Sequence, residues 1–252
     1  MQCIITKKDK KLSFDEFYSL ESECFPSEPF NEIQYSDTIQ GDFWTARVEG
    51  NLAGFVCVVS HQDKVHLSRL EVHSQYRRAG IGALLIDKVI EFTALKNLPS
   101  VSLTVRTNNI PAYNLYVKKG FIIYGYKNRY AIPIQNLSET SPVELIQRGE
   151  GKNCPVSFVV NADEIGSGKF NYQIGGCKDF VLTYPDTNIL SVLAAIKSKV
   201  KPGSANIYVM TENPETIKVL KALSFAAETE MADMIYYTKN SPVFQLLDLF
   251  CF

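Results

Sequence analysis

The sequence predicts an α+β fold, a mixed and mostly antiparallel sheet flanked by helices, with a smaller second domain of related design. Three observations carry that expectation. Short stretches of alternating apolar residues come in pairs joined by turn residues, as β-hairpins do. Longer stretches with apolar residues three and four apart follow individual strands, as helices packed on a sheet do. And 252 residues with 46% hydrophobic content are enough for more than one core.

Along the first half, Gln2 to Thr6 reads as a strand, and Phe14 to Phe25 and Asn31 to Ile39 read as two short helices interrupted by Pro26 and Pro29. Phe43 to Val48 and Leu52 to Ser60 alternate on either side of Glu49-Gly50-Asn51, which makes a hairpin. In the strand Val65 to Val72, Val65 and Leu67 alternate in one phase, Leu70 and Val72 in the other. Keeping both pairs in the core requires a one-residue slip near Ser68-Arg69, which a β-bulge supplies.

That strand runs into Arg77-Arg78-Ala79-Gly80-Ile81-Gly82, and a helix leaves the glycines with Ile81, Leu85, Val89 and Phe92 on one face and Asp87, Lys88 and Glu91 on another. A strand, loop and helix in this order gather bare N–H groups and the positive end of a helix dipole at one point, where two glycines let a phosphate approach without a Cβ in the way. An anion belongs there. The next strand, Val101 to Val105, leads to Asn109 as an N-cap, with Pro111 tolerated in the first turn and Gly120 closing the helix. Strands are then expected at Phe121 to Gly125 and Tyr130 to Ile134.

The order R-x-x-G-x-G after a strand, followed by N-x-x-A-x-x-x-Y-x-x-x-G-F through Asn109, Ala112, Tyr116, Gly120 and Phe121, resembles the GNAT superfamily of acyl-CoA-dependent N-acyltransferases. The resemblance covers roughly residues 1 to 135, with Ser74 standing where many members carry a proline. It implies a GNAT-like N-acetyltransferase domain over residues 1–137, acetyl-CoA as acyl donor, and direct attack by an amine without a covalent enzyme intermediate. In the same reading Arg77 and Arg78 flank the pyrophosphate, and the amides from Arg78 through Ala79, Gly80, Ile81 and Gly82 to Ala83 bind it. Leu70 and Val72 border a pantetheine arm laid where the bulged strand splays from its neighbour, and Asn109 holds a pantetheine amide while capping its helix.

Acetyl transfer needs a deprotonated amine, a polarised thioester carbonyl and a proton for the departing thiolate. Tyr116, two turns into its helix, is the candidate acid; the alternative is a core tyrosine packed with Leu115. Glu71 is the candidate base, acting directly or through water; the alternative is an exposed strand carboxylate paired with Arg69. Glu28, Phe30, Asn31, Gln34 and Tyr35 fall where the family closes over its acceptor, which suggests a polar or cationic small molecule or a peptide end. The rival from another class is a non-catalytic acyl-CoA-binding or regulatory module.

Residues 138–155 turn polar and rich in turn formers, so they are expected to be a linker to a second domain at 156–252. Sliding Val101 onto Ala205 puts Val105 on Val209, Thr107 on Thr211, Asn109 on Asn213 and Phe121 on Phe225. Phe180 to Tyr184 and Ile189 to Val200 supply the matching strand and helix. Tyr116, however, lands on Leu220, Gly120 on Ser224, and Pro185-Asp186-Thr187-Asn188 replaces the glycine loop. The second domain therefore resembles a degenerate GNAT-like half with neither cradle nor acid. The competing reading is a chance agreement of two strand-helix pairs.

The remaining features exclude other classes. With 26 basic against 27 acidic residues and no extended basic cluster, the chain lacks the footprint of a nucleic-acid or anionic-membrane binder. Six cysteines lie far apart with no C-x-x-C, no signal-like segment opens the chain and no long apolar run occurs, which reads as a soluble cytoplasmic protein with reduced thiols. His61, His66 and His73 have no partners at ligand spacing, so no metal is expected. Gly166-Ser167-Gly168-Lys169 fails as a nucleotide loop, because the spacer is missing and Phe170 stands where a hydroxyl binds magnesium. The apolar tail Val243 to Phe252 is expected to dock on the second domain or on a neighbouring subunit, which leaves a homodimer open.

Overall fold

The computed structural model describes residues 2–26, 29–149, 153–171, 175–184 and 188–243. The chain divides into two compact units, neither a continuous segment. The first draws on Met1–Val105, Asn109–Tyr124 and Asp233–Phe252, the second on Arg106–Asn108 and Gly125–Ala232.

In the first unit β1 (Cys3–Lys7), β2 (Asp42–Val48), β3 (Asn51–Ser60) and β4 (Val65–Val72) pair antiparallel in that order, and β5 (Ser100–Arg106) runs parallel to β4. Helices α1 (Phe14–Cys24) and α2 (Glu32–Gln40) cover one face, over a buried cluster that includes Phe17, Leu20, Phe43, Phe55 and Cys57. Helix α3 (Ile81–Leu95) covers the other, burying Ile81, Leu85, Ile86 and Val89. Gly54 on β3 sets that approach, since a Cβ there would lie 3.0 Å from the Ile81 side chain and 3.1 Å from that of Leu85.

The expected bulge is present. Val58 pairs with Leu67 and Cys57 with Arg69, leaving Ser68 as the extra residue. Val65, Leu67, Leu70 and Val72 therefore share the α3 face with Val56 and Val58, while Arg69 and Glu71 share the α1 face with Phe55 and Cys57. Strand β4 meets β5 at Val65↔Val101 and His66↔Ser102 and at no later pair, so the two strands part at the bulge. Helix α4 (Ile110–Lys118) follows β5.

In the second unit the strand order is β6 (Ile122–Pro133), β11 (Asn206–Thr211), β10 (Gly176–Leu182), β9 (Asp163–Asn171), β8 (Cys154–Val160) and β7 (Glu144–Gln147), with helices α5 (Ile189–Lys197) and α6 (Pro214–Ala222). Tyr130, Phe158, Phe170, Phe180, Leu193 and Leu220 are among its buried core. The design of the first unit recurs here. β10 and β11 are parallel at Gly176↔Tyr208 and Cys177↔Val209, and the register of β10 against β9 breaks between Lys178 and Val181. Asn109 caps α4 by accepting from the Ala112 amide (3.3 Å), and Asn213 caps α6 by accepting from the Thr216 amide (2.8 Å). Both helices end at a residue of positive φ, Gly120 at 87° and Ser224 at 63°. The following amides then close back alike, Phe121 onto the Tyr116 carbonyl and Phe225 onto that of Leu220, each at 3.0 Å.

The division differs from the expected 1–137, 138–155 and 156–252. The stretch expected to be a linker contains β7, which pairs with β8 and buries Val143 and Leu145 in the second core. The last strand, β12 (Thr229–Tyr237), is shared, with Asp233–Tyr237 falling in the first unit. The two strands expected between Phe121 and Ile134 are one, β6, because Asn128 to Pro133 pairs with Thr211 to Asn206 without a break and leaves no room for a turn. Glu28, Pro185 to Thr187 and the tail beyond Val243 lie outside the described residues. Among the described residues no helix is long and apolar enough to cross a membrane.

Candidate active site

Helix α3 begins on Gly80, which is left-handed (φ 84°) and gives no side-chain cap, and its first turn holds no acidic residue. The amides of Ile81, Gly82 and Ala83 therefore have no intrahelical acceptor, and the positive end of the dipole is uncompensated. Gly82 admits a close neighbour, since a Cβ there would meet the Leu115 side chain at 3.0 Å. Helix α5 makes the contrast. Its N-cap Asn188 accepts from the Ser191 amide at 3.4 Å, so its start is closed by its own sequence. The uncapped start of α3 suits a bound anion such as a phosphate.

Alongside it, β4 runs on beyond its pairing with β5. The His73 amide donates to the Ala53 carbonyl at 3.0 Å, so the backbone groups of Glu71 and Arg69 turn towards β3 and those of Leu70 and Val72 towards the side that β5 has left. Arg77, which the resemblance places beside the pyrophosphate, has partners of its own. Its guanidinium donates to the Val72 carbonyl (3.0 Å) and lies 3.2 Å from Glu23, whose carboxylate also accepts from the Ser74 amide (2.6 Å). Arg77 thus ties the end of α1 to the loop, and Arg78 is exposed at φ 67°.

Glu71 is not an exposed strand carboxylate. It is 1% exposed and faces Glu21 of α1, itself fully buried. Among the described residues no N–H group donates to either oxygen of Glu71. Arg69 lies 3.1 Å from Glu21, with its guanidinium 3.9 Å from the ring centre of Phe25 and 4.1 Å from that of Phe30. Burial, and then the like charge of Glu21, push the Glu71 carboxyl well above the usual carboxylate range against the pull of Arg69. Burial also raises Glu21.

Tyr116 is 6% exposed, its ring edge-on to Phe121 at 5.6 Å, and burial pushes its phenol up. Of the residues expected to close over an acceptor, Asn31 and Gln34 form the capping box of α2 and Tyr35 donates to the Leu12 carbonyl at 2.8 Å, leaving Phe30 over Arg69. Glu21 is the residue that the sequence reading missed. A signal was there: Phe17, Leu20, Glu21 and Cys24 fall on one helical stripe, a carboxylate among residues that must be buried.

Residues 14–121 match the model of the acetyltransferase (GNAT) family. The chain is 35% identical over 98 residues to the N-acetylaspartate synthetase of Homo sapiens, a stretch covering 38% of this chain and 32% of that protein. It is 29% identical over 102 residues to an N-alpha-acetyltransferase of Sulfurisphaera tokodaii, covering 35% and 61%. The chain thus spans about a third of the length of the synthetase it matches. The likeness in fold extends further, to a solved tandem GNAT protein from the clavulanic acid biosynthesis pathway, with a TM-score of 0.69 at 11% identity over 96% of this chain and 99% of that one. Residues 14–121, which include the uncapped glycine start of α3 and the parted β4 and β5, carry this chain's similarity to the GNAT family of acetyltransferases.

Proposed function

We propose that this protein transfers an acetyl group from acetyl-CoA to a primary amine by direct attack. The observation that carries the reading is the uncapped start of α3 beside the stretch of β4 beyond its pairing with β5, with Glu71 on that same stretch of β4. The amides from Arg78 to Ala83 bind the pyrophosphate, the Leu70 and Val72 edge and the side-chain amide of Asn109 hold the pantetheine arm, and no metal takes part. Glu71 accepts the proton of the acceptor ammonium. Tyr116, whose phenol burial keeps protonated, donates to the departing thiolate. The thiols that interact with Glu71 support direct attack over a cysteine intermediate. Burial raises Cys24 and pushes Cys57 up to about 12, so neither supplies a thiolate.

The relatives are named for aspartate and for α-amino groups, so the amines of amino acids and peptide ends are the first acceptors to try. Five described cysteines are free thiols, which supports a cytoplasmic setting. The test is release of free coenzyme A thiol from acetyl-CoA across an acceptor panel, with acceptor-dependent release expected. A protein that binds acetyl-CoA yet releases no thiol with any amine is the non-catalytic binding module, a reading that the near-complete burial of Glu71 favours when taken alone.

A further inference from the structure

Two glutamates from different elements, Glu21 on α1 and Glu71 on β4, meet where neither exposes more than 1% of its surface. Among the described residues no N–H or O–H group donates to either buried oxygen of Glu71, and Glu21 has the Arg69 guanidinium at 3.1 Å. Two buried carboxylates beside one guanidinium leave one negative charge unmatched, which a proton held between them removes. The charge around them agrees. Arg69 supplies one positive charge, held in place by the rings of Phe25 and Phe30, and one shared proton leaves the pair one negative charge to match it. The other titratable groups in electrostatic contact with Glu71, Cys24 of α1 and Cys57 of β3, are thiols kept neutral by burial and add no charge.

We propose that Glu21 is a positioning residue for acetyl transfer: it shares one proton with Glu71, so that the pair presents a single carboxylate to the acceptor ammonium. The inference rests on Glu71 acting as the base. In the step itself the acceptor N–H bond breaks and a Glu71 O–H bond forms, the freed nitrogen lone pair attacks the thioester carbonyl, and the pair, now holding two protons, returns one to solvent after turnover. Glutamine at position 21 would offer the Glu71 carboxylate a neutral amide N–H in place of the shared proton, a weaker hydrogen bond that stabilises the ionised form less.

The experiment compares pH–rate profiles of kcat/KM for the parent, Glu21→Gln and Glu71→Gln, with acetyl-CoA affinity measured by titration calorimetry. Glu21→Gln is expected to bind acetyl-CoA as the parent does and to move the acidic limb up by about one pH unit, a tenfold change in proton activity, because the singly ionised pair loses the shared proton that stabilises it. An unmoved limb, whatever the rate, overturns the role of Glu21. Turnover by Glu71→Gln within about threefold of the parent on the same acceptor overturns the base assignment instead, because losing a general base costs about 10² or more. Infrared difference spectra of the parent at neutral pH keep the proposal testable should Glu21→Gln not fold: the C=O stretch of one protonated carboxyl is expected, lost in Glu71→Gln, and its absence from the parent overturns proton sharing.

Discussion

The Thr104 hydroxyl on β5 donates to Asp233 Oδ1 on β12 at 2.7 Å, joining residues from the middle and the end of the chain inside the first unit. Asp233 is 4% exposed, and three residues on Tyr236 packs its ring 5.6 Å from Phe121, the ring that borders Tyr116. The first unit is therefore completed by the last strand. A chain cut after Ser141 loses that strand and leaves β5 with an open edge. It is expected to show no cooperative thermal transition and no stabilisation by acetyl-CoA, as checked by circular dichroism melting. Asp233→Ala in the full chain should cost about 1–3 kcal/mol, the penalty for removing one partner of a buried hydrogen bond. A stable, acetyl-CoA-binding fragment would show that the last strand is dispensable.

Acetyl-CoA is expected to raise the melting temperature, since at about 100 times its dissociation constant mass action supplies roughly 2.7 kcal/mol. Gly82→Val should abolish that shift, because its Cβ would lie 3.0 Å from the Leu115 side chain and displace the start of α3. Gly80→Ala should melt lower by about 1–2 kcal/mol even without ligand, the cost of a Cβ at a left-handed φ of 84°. An undiminished shift in Gly82→Val would move the phosphate site elsewhere.

Sequence legibility followed physical cause. The phase change from Val65 and Leu67 to Leu70 and Val72 exposed the bulge, because a buried face punishes a one-residue slip. The repeat of Asn109 and Phe121 as Asn213 and Phe225 was legible because caps and closing turns have strict residue needs. Strand β9 was not, since Gly166-Ser167-Gly168 reads as a loop. Those glycines answer to neighbours distant in sequence: a Cβ at 168 would lie 2.3 Å from Cys177 Sγ, and one at 166 would lie 2.8 Å from the Val181 carbonyl. The pairing of Glu21 with Glu71 was hidden for the same reason, since it is set by packing between elements far apart in the chain.

Tyr116→Phe is expected to leave acetyl-CoA affinity and stability nearly unchanged, since the ring and its edge contact with Phe121 are kept. Turnover should fall by about 10² to 10⁴, the range for losing a positioned acid. Steady-state rates on a good acceptor decide the matter. A rate within about threefold of the parent would make Tyr116 a core residue and send the proton to another donor.

Stability should also depend on pH through Glu71. Its folded-state pKa is raised by burial and by Glu21, so above the unfolded carboxylate value of about 4.3 the native state holds a proton that the unfolded chain has lost. Stability then falls as pH rises, until the folded pKa is passed. Glu71→Gln removes this loss and gives Glu21 an N–H donor in place of the shared proton. The variant's melting temperature relative to the parent is therefore expected to climb from about pH 4.3 upward, by the equivalent of about 1.4 kcal/mol for each unit by which the native pKa is raised. A relative melting temperature that stays flat across that range would mean that Glu71 titrates as an ordinary exposed carboxylate does, which its burial against Glu21 forbids.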